Sequence, residues 1–415
     1  MRTVSGNTIA NIAYTTTSIN ANSPLVAITL DGPVNYTVGS VGQGNIIGSG
    51  TTPGSITLTN NAASGSLGIR GISCIGGGTS SVAYNTIGGL TLNVTRTAAT
   101  TQLVNVSGGI VTIDNNALGG TAAGNILISS DSPFYGIQNT SPNGMTCINN
   151  TFLNIVHNAS AQPFGGIYNV EGNLTATGNT FRNISSTSSA GASLAIFMIN
   201  HQPSTTGTAD VSSNTIENIT LTSASTAFSF YAISINTTST ATCSNNTVGG
   251  SGADNISIAG TASSYGIYHS LAGAITCSTN VIQQFNMSNG ATTTQFGGIY
   301  NTGGALTANG NTIRNITGAG NGNYNLIYHV PSAAATGDIS SNTLRDITLT
   351  NTGANANVFG IRINTGSTVT CGDNMIGTAT VGNISVAGNG KSNGIFKSGT
   401  GNITCTNNTI QQFSL

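Results

Sequence analysis

The chain predicts an all-β solenoid of parallel strands, about 13–14 turns with about three strands in each. The first observation behind this is a motif that returns along nearly the whole length. GNTIRNIT at 310–317 has close variants starting at Gly6 (GNTIANI), Asn149 (NNTFLNI), Gly178 (GNTFRNI), Ser213 (SNTIENIT), Ser341 (SNTLRDIT) and Asn407 (NNTIQQF). The second is that each unit holds three short apolar segments separated by Gly, Asn, Ser and Thr, a pattern of strands and turns. Those interruptions come every few residues, too often for a helical apolar stripe.

The leading segment starts at the asparagine of the motif. Aligning that residue gives Asn7, Tyr36 as an exception, Asn61 as an uncertain member, then Asn85, Asn116, Asn150, Asn179, Asn214, Asn246, Asn280, Asn311, Asn342, Asn374 and Asn408, with steps of 29 to 35 residues from Asn85 onward. Apolar residues fall two and five places later, as at Ile313 and Ile316 or Phe181 and Ile184. Strict alternation cannot satisfy that odd spacing, so a bend is expected between the two. A middle segment such as FGGIYN (164–169) follows, and a third segment such as LTATGN (174–179) alternates inward Leu174 and Ala176 with outward Thr175 and Thr177.

A continuous repeat of this kind predicts one domain over 1–415 rather than several separate cores. Residues 1–110 read as degenerate turns and 111–415 as regular ones. Above the single turn lies a four-turn block: ITCSTNVIQQF (275–285) returns as ITCTNNTIQQF (403–413), and DNISIAG (254–260) as GNISVAG (382–388), each 128 residues later.

Charged residues are only 5% of the chain, against about 25% in ordinary soluble proteins, yet hydrophobic residues reach 38%, so the chain does not read as disordered. Nine Lys and Arg scattered over 415 residues offer no basic surface for nucleic acid. No apolar run reaches the length of a membrane span, and MRTVSGNTIA has no apolar signal core. Export is therefore expected to rest on a segment upstream. Both ends stop within a unit, which predicts either a longer parent chain or end-to-end stacking.

Together these features resemble the right-handed parallel β-helix of the pectate-lyase-like superfamily, over essentially all 415 residues, and most of all its large secreted bacterial surface repeat proteins. The resemblance implies an inward asparagine ladder at one corner: Asn150, Asn179, Asn214, Asn246, Asn280, Asn311, Asn342, Asn374 and Asn408. Elementary chemistry supports it, because stacked amides about 4.8 Å apart can each donate to one neighbour and accept from the other. A second corner column is expected at Asn139, Asn169, Asn200, Asn236, His269, Asn301, His329 and Asn364. Histidine there points to a polar corner and not to a metal, since the four histidines have no second ligand type beside them.

Cys147, Cys243, Cys277, Cys371 and Cys405 share one inward position of the third strand. Cys243/Cys277 and Cys371/Cys405 fall in consecutive turns, close enough for disulfides, although a column of small buried hydrophobes explains them more simply. Cys74 has no obvious partner.

Enzymes with this fold resemble one another in clustering carboxylates on an exposed sheet. Such chemistry needs two or more acids close together, and this chain has ten in all, with no two sharing a column in adjacent turns. No catalysis, cofactor or metal is expected.

Outward threonines of the third strand (Thr146, Thr175, Thr242, Thr276, Thr307, Thr370, Thr404) resemble an ice-binding face, interrupted by Asp210 and Asp338. Thr also simply suits an exposed strand. Tyr168, Tyr268, Tyr300 and Tyr328 form an outward stripe on the middle strand, a possible contact surface for sugar rings or a neighbouring fibre.

The functional expectation is a non-catalytic extracellular or cell-surface structural protein: part of a filament, stalk or adhesin shaft, self-associating end to end. The alternatives are a polysaccharide-binding or polysaccharide-cleaving β-helix and an ice-binding solenoid.

Overall fold

A computed structural model describes residues 1–16, 25–60, 69–94, 100–129, 132–158, 162–188, 194–204, 206–223, 228–260, 263–288, 295–331, 335–350, 356–364, 366, 368–380, 383–387 and 389–414. Among them there is no helix, and so none long and apolar enough to cross a membrane. The backbone forms two compact units, Met1–Gly207 and Thr208–Leu415. Each is a parallel β-solenoid.

One turn of the second unit shows the local logic. The leading strand Thr312–Gly318 carries Ile313 and Ile316 inward, the middle strand Asn323–His329 carries Tyr324 and Ile327 inward, and the third strand Gly337–Ser340 carries Ile339 inward. Equivalent strands of the next turn pair with all three in parallel, Ile316 against Ile347, Ile327 against Ile361 and Ile339 against Cys371. Inward side chains thus rest on the inward side chains of the turns above and below. Phe152 on Phe181 and Phe134 on Phe164, with ring centroids 4.4 and 5.2 Å apart, do the same in the first unit. The core is a bundle of such columns, and burying each Leu, Ile or Phe contributes roughly 1.5–3 kcal/mol.

The expected bend in the leading strand is a single left-handed residue. Asn11, Asn154, Asn183, Asn218, Gln284, Asn315, Asp346 and Gln412, each four places after the aligned asparagine, have φ between 53° and 59°. A second left-handed residue precedes the aligned asparagine, among others at Asn115, Asn149, Gly178, Ser213, Asn245, Gly310 and Asn407. Asn and Gly tolerate this conformation best. Their abundance therefore has two causes, one for turning the chain and one for bonding between turns.

Some leading strands open into longer loops. Positive-φ glycines at Gly119, Gly249 and Gly377 break the strand, and an asparagine at the loop's end (Asn125, Asn255, Asn383) pins it back. Asn255 Oδ1 accepts from the backbone N–H of Gly250 at 2.6 Å and of Asn218 at 2.9 Å. The loops at Gly249 and Gly377 sit at equivalent places in the 128-residue block, so the block repeat marks a recurring insertion.

Residues 1–110 follow the same plan more closely than the sequence suggests. Between Asn7 and Asn85 the aligned position belongs to Asn45, not to Tyr36: Asn7 Nδ2 donates to Asn45 Oδ1, and Asn45 Nδ2 to Asn85 Oδ1, both at 2.8 Å. Tyr36 starts a third strand, pairing with Arg2. Loops lengthen these turns and shift the spacing on which the alignment relied. Asn61 lies outside the described residues.

The left-handed bend makes a prediction. Replacing Asn315 by Ala should cost about 1 kcal/mol in urea unfolding, through the left-handed backbone penalty for a residue with a Cβ, whereas Asn315→Gly should stay within about 0.5 kcal/mol of wild type. Equal stability of the two variants would remove the bend as the reason for asparagine there.

Candidate functional site

Three polar or aromatic columns recur in each of the two units, and the asparagine ladder is the most regular. In the second unit Asn311 Oδ1 accepts from the backbone N–H and the Nδ2 of Asn280, at 3.0 and 2.9 Å. Its own Nδ2 donates to Asn342 Oδ1 and to the Cys277 carbonyl, both at 2.9 Å. All four positions of the amide are occupied. Asn214, Asn246, Asn280, Asn342, Asn374 and Asn408 continue the series with Nδ2···Oδ1 distances of 2.9–3.0 Å. In the first unit Asn85, Asn116, Asn150 and Asn179 are joined at 2.9–3.1 Å.

The second corner needs a register correction. Asn139 is in register with Asn169, and Asn169 with His201, so the column residue of that turn is His201, not Asn200. In the second unit the column runs Ile235, His269, Asn301, His329, Ile363, which places Asn236 and Asn364 one residue beyond it. The physical reason is strand alternation. The column residue lies two places after an inward isoleucine (Ile199, Ile233, Ile361), and two places later the chain supplies His201, Ile235 and Ile363.

Where the column is polar, it is built of asparagine and histidine. Asn139 Nδ2 donates to Asn169 Oδ1 at 2.7 Å, and Asn169 Nδ2 to His201 Nδ1 at 2.9 Å. His269 Nδ1 lies 2.7 Å from Asn301 Oδ1, and Asn301 Nδ2 lies 3.0 Å from His329 Nδ1. The Gly303 N–H donates to Asn301 Oδ1, which fixes the amide's orientation. His269 must therefore donate from Nδ1, whereas His329 accepts there and keeps its proton on Nε2, toward the Ala335 carbonyl at 3.3 Å. Burial pushes all three imidazoles below their ordinary value, His329 to about 4. Among the described residues no three of His, Cys, Asp and Glu come together to hold a metal.

The cysteines of the third strand share one register position. Cys243 pairs in register with Cys277, Cys371 with Cys405, and Cys147 lies between Ile113 and Ala176. All six cysteines are free thiols, five buried and Cys405 exposed. Burial pushes Cys74 and Cys371 up to about 12, which keeps them protonated and unreactive. Cys74 sits in the second corner column between Leu30 and Val106, as one more apolar filler.

The outward tyrosines form a ladder of their own. Tyr268, Tyr300 and Tyr328 are in register, with ring centroids 5.9 and 4.1 Å apart and planes within 13° of parallel; Tyr135 and Tyr168 stack at 4.7 Å in the first unit. Ring planes stacked from turn to turn turn their faces to one another, leaving edges and phenol groups outward. A second outward column three residues earlier, Tyr231, Tyr265 and then Gly297, lies against the first. Gly297 makes the room: a Cβ there would come within 2.8 Å of both Tyr265 and Tyr300. The column then changes character, because Arg362 is in register with Tyr328 and Phe396 with Arg362.

Sequence reading found the stripe but missed Tyr265, Phe359 and Arg362. The signal was the three-residue spacing in YGIY and FGIR, two outward side chains with buried residues between them.

Comparison of the chain with protein-family models, with curated proteins and with solved structures finds no match.

The buried imidazoles make stability depend on pH. Neutral in the fold and basic when unfolded, they let the unfolded chain bind more protons, so stability is full above about pH 6.5 and falls as pH drops toward 4. For His329 the loss should reach roughly 3 kcal/mol. His329→Asn, which keeps an amide in the column, should flatten that part of the pH profile of urea unfolding. An unchanged slope in the variant would show that His329 does not set it.

Proposed function

We propose that this chain is a structural repeat protein of the cell exterior, a non-catalytic shaft whose turns are held by side-chain ladders and which extends by adding further turns at its ends. The observation that carries this reading is the asparagine ladder. Within each unit, successive turns repeat one set of bonds to their neighbours, so cohesion does not depend on any particular turn. A nearly charge-free surface of Thr, Ser, Asn and Gly supports the same reading, since it suits close packing of copies through hydrogen bonds and shape rather than through charge.

Extracellular placement follows from the same proposal. The amide and hydroxyl surface is unsuited to nucleic acid, and five of the six thiols are buried, where they need no reducing compartment to stay unreactive.

Electron microscopy of the purified chain tests the shaft. Fibres whose repeat equals one chain length are the expected outcome. Isolated particles at all concentrations, with both ends closed, would contradict the end-to-end part of the proposal. Fractionation of the source cells should place the protein outside the membrane, and a cytoplasmic pool would contradict the placement.

A further inference from the structure

The chain has no tryptophan, so tyrosine is its aromatic side chain most easily oxidised by one electron. In the second unit five tyrosines form one connected cluster. Ring centroids of Tyr231 and Tyr265 lie 5.0 Å apart, those of Tyr231 and Tyr268 5.1 Å, those of Tyr265 and Tyr300 5.0 Å, and those of Tyr300 and Tyr328 4.1 Å. Each ring therefore touches another with which it can exchange an electron.

Of these pairs Tyr300 and Tyr328 are the closest and the most nearly parallel, with planes 6° apart. They hold the same position in consecutive turns, so their Cα atoms keep the spacing of paired strands, about 4.8 Å. Both side chains are half-buried. Their outer edges carry the hydroxyls and the ring carbons ortho to them, within reach of solvent. The next residue of the column is Arg362, whose guanidinium carbon lies 5.4 Å from the Tyr328 centroid, 4.8 Å from that of Phe359 and 6.0 Å from that of Phe396. The phenols of the column thus stop at Tyr328, and Tyr300 is its in-register phenol partner.

We propose that Tyr300 and Tyr328 are a site of oxidative cross-linking, where a peroxidase acting with hydrogen peroxide joins the two rings and ties consecutive turns covalently. Each phenol gives up one electron and its hydroxyl proton and becomes a phenoxyl radical. The two radicals pair at carbons ortho to oxygen, forming one carbon–carbon bond, and the hydrogen on each of those carbons then moves to the oxygen, restoring both phenols. Two electrons and two protons leave in all, and they reduce one hydrogen peroxide to two waters. An electron vacancy formed on Tyr231, Tyr265 or Tyr268 reaches the pair through touching rings, so the whole cluster serves as its target. The proposal is independent of the shaft reading, since the bond forms within one chain.

Treatment of the dilute, intact chain with a haem peroxidase and hydrogen peroxide provides the test, read by dityrosine fluorescence and by mass spectrometry of proteolytic peptides. The expected product is a single chain lighter by two hydrogens, with a cross-linked peptide pair that contains Tyr300 and Tyr328. Tyr14 and Tyr84, each 39% exposed, are the more accessible phenols and serve as the internal comparison. Dityrosine that maps to them or to any other pair, or no dityrosine at all, would overturn the proposal. Tyr328→Phe, which keeps a ring and removes the phenol, should lose the cross-linked peptide pair and most of the fluorescence, whereas Tyr14→Phe should keep both. Undiminished fluorescence in Tyr328→Phe would also overturn it. The wild-type peptide map decides the question even if that variant is unstable.

Discussion

A buried primary amide has two donors and two acceptor positions, and any left unmet costs about 1–3 kcal/mol. The ladder asparagines meet this demand with their own kind. Each amide spends one donor and both acceptor positions on its neighbours in adjacent turns, and its second donor on a carbonyl of the third strand one turn back, as Asn311 does on Cys277. This works only if successive turns are in register and the strands are parallel. One hydrogen-bonding requirement thus fixes spacing, strand direction and the place of the corner. Because all the amide dipoles of a unit point the same way, each bond also polarises the next.

The other columns are variations on that constraint. Where histidine alternates with asparagine, the ladder persists, but its members must stay neutral, so an acid-sensitive element enters an otherwise almost uncharged core. Where cysteine stacks on cysteine, the column is apolar and inert. On the outer face, tyrosine stacks on tyrosine until Arg362 enters, and there a column that had served cohesion acquires a charged side chain whose Nε is buried without an acceptor. Repetition makes the exception visible: a residue that breaks a column has to find its partners elsewhere.

The fold was legible because its determinants are local and repeated. The aligned asparagines from Asn85 on, the odd spacing of Ile313 and Ile316 and the alternation of Ile275, Thr276 and Cys277 all follow from strand geometry applied one turn at a time. Identity-based alignment failed where loops vary or where another residue takes the place: Asn45 was hidden by a long turn, and His201, Ile235 and Ile363 by adjacent asparagines that drew the eye one position away. Counting two places from the inward isoleucine would have recovered them. The cluster around Arg362 was illegible for a different reason. Tyr328, Phe359, Arg362 and Phe396 meet only when consecutive turns are superposed, and an arginine among aromatics has no sequence signature of its own.

Hydrogen exchange of the asparagine side chains, followed by NMR on asparagine-labelled protein, reads the ladder directly. The side-chain NH₂ groups of Asn280, Asn311 and Asn342 should exchange far more slowly than that of Asn364, which is exposed, and should do so together, as members of one cooperative structure. Exchange of the ladder amides at the rate of Asn364 would mean that they face water, and the account of what holds the turns in register would be wrong.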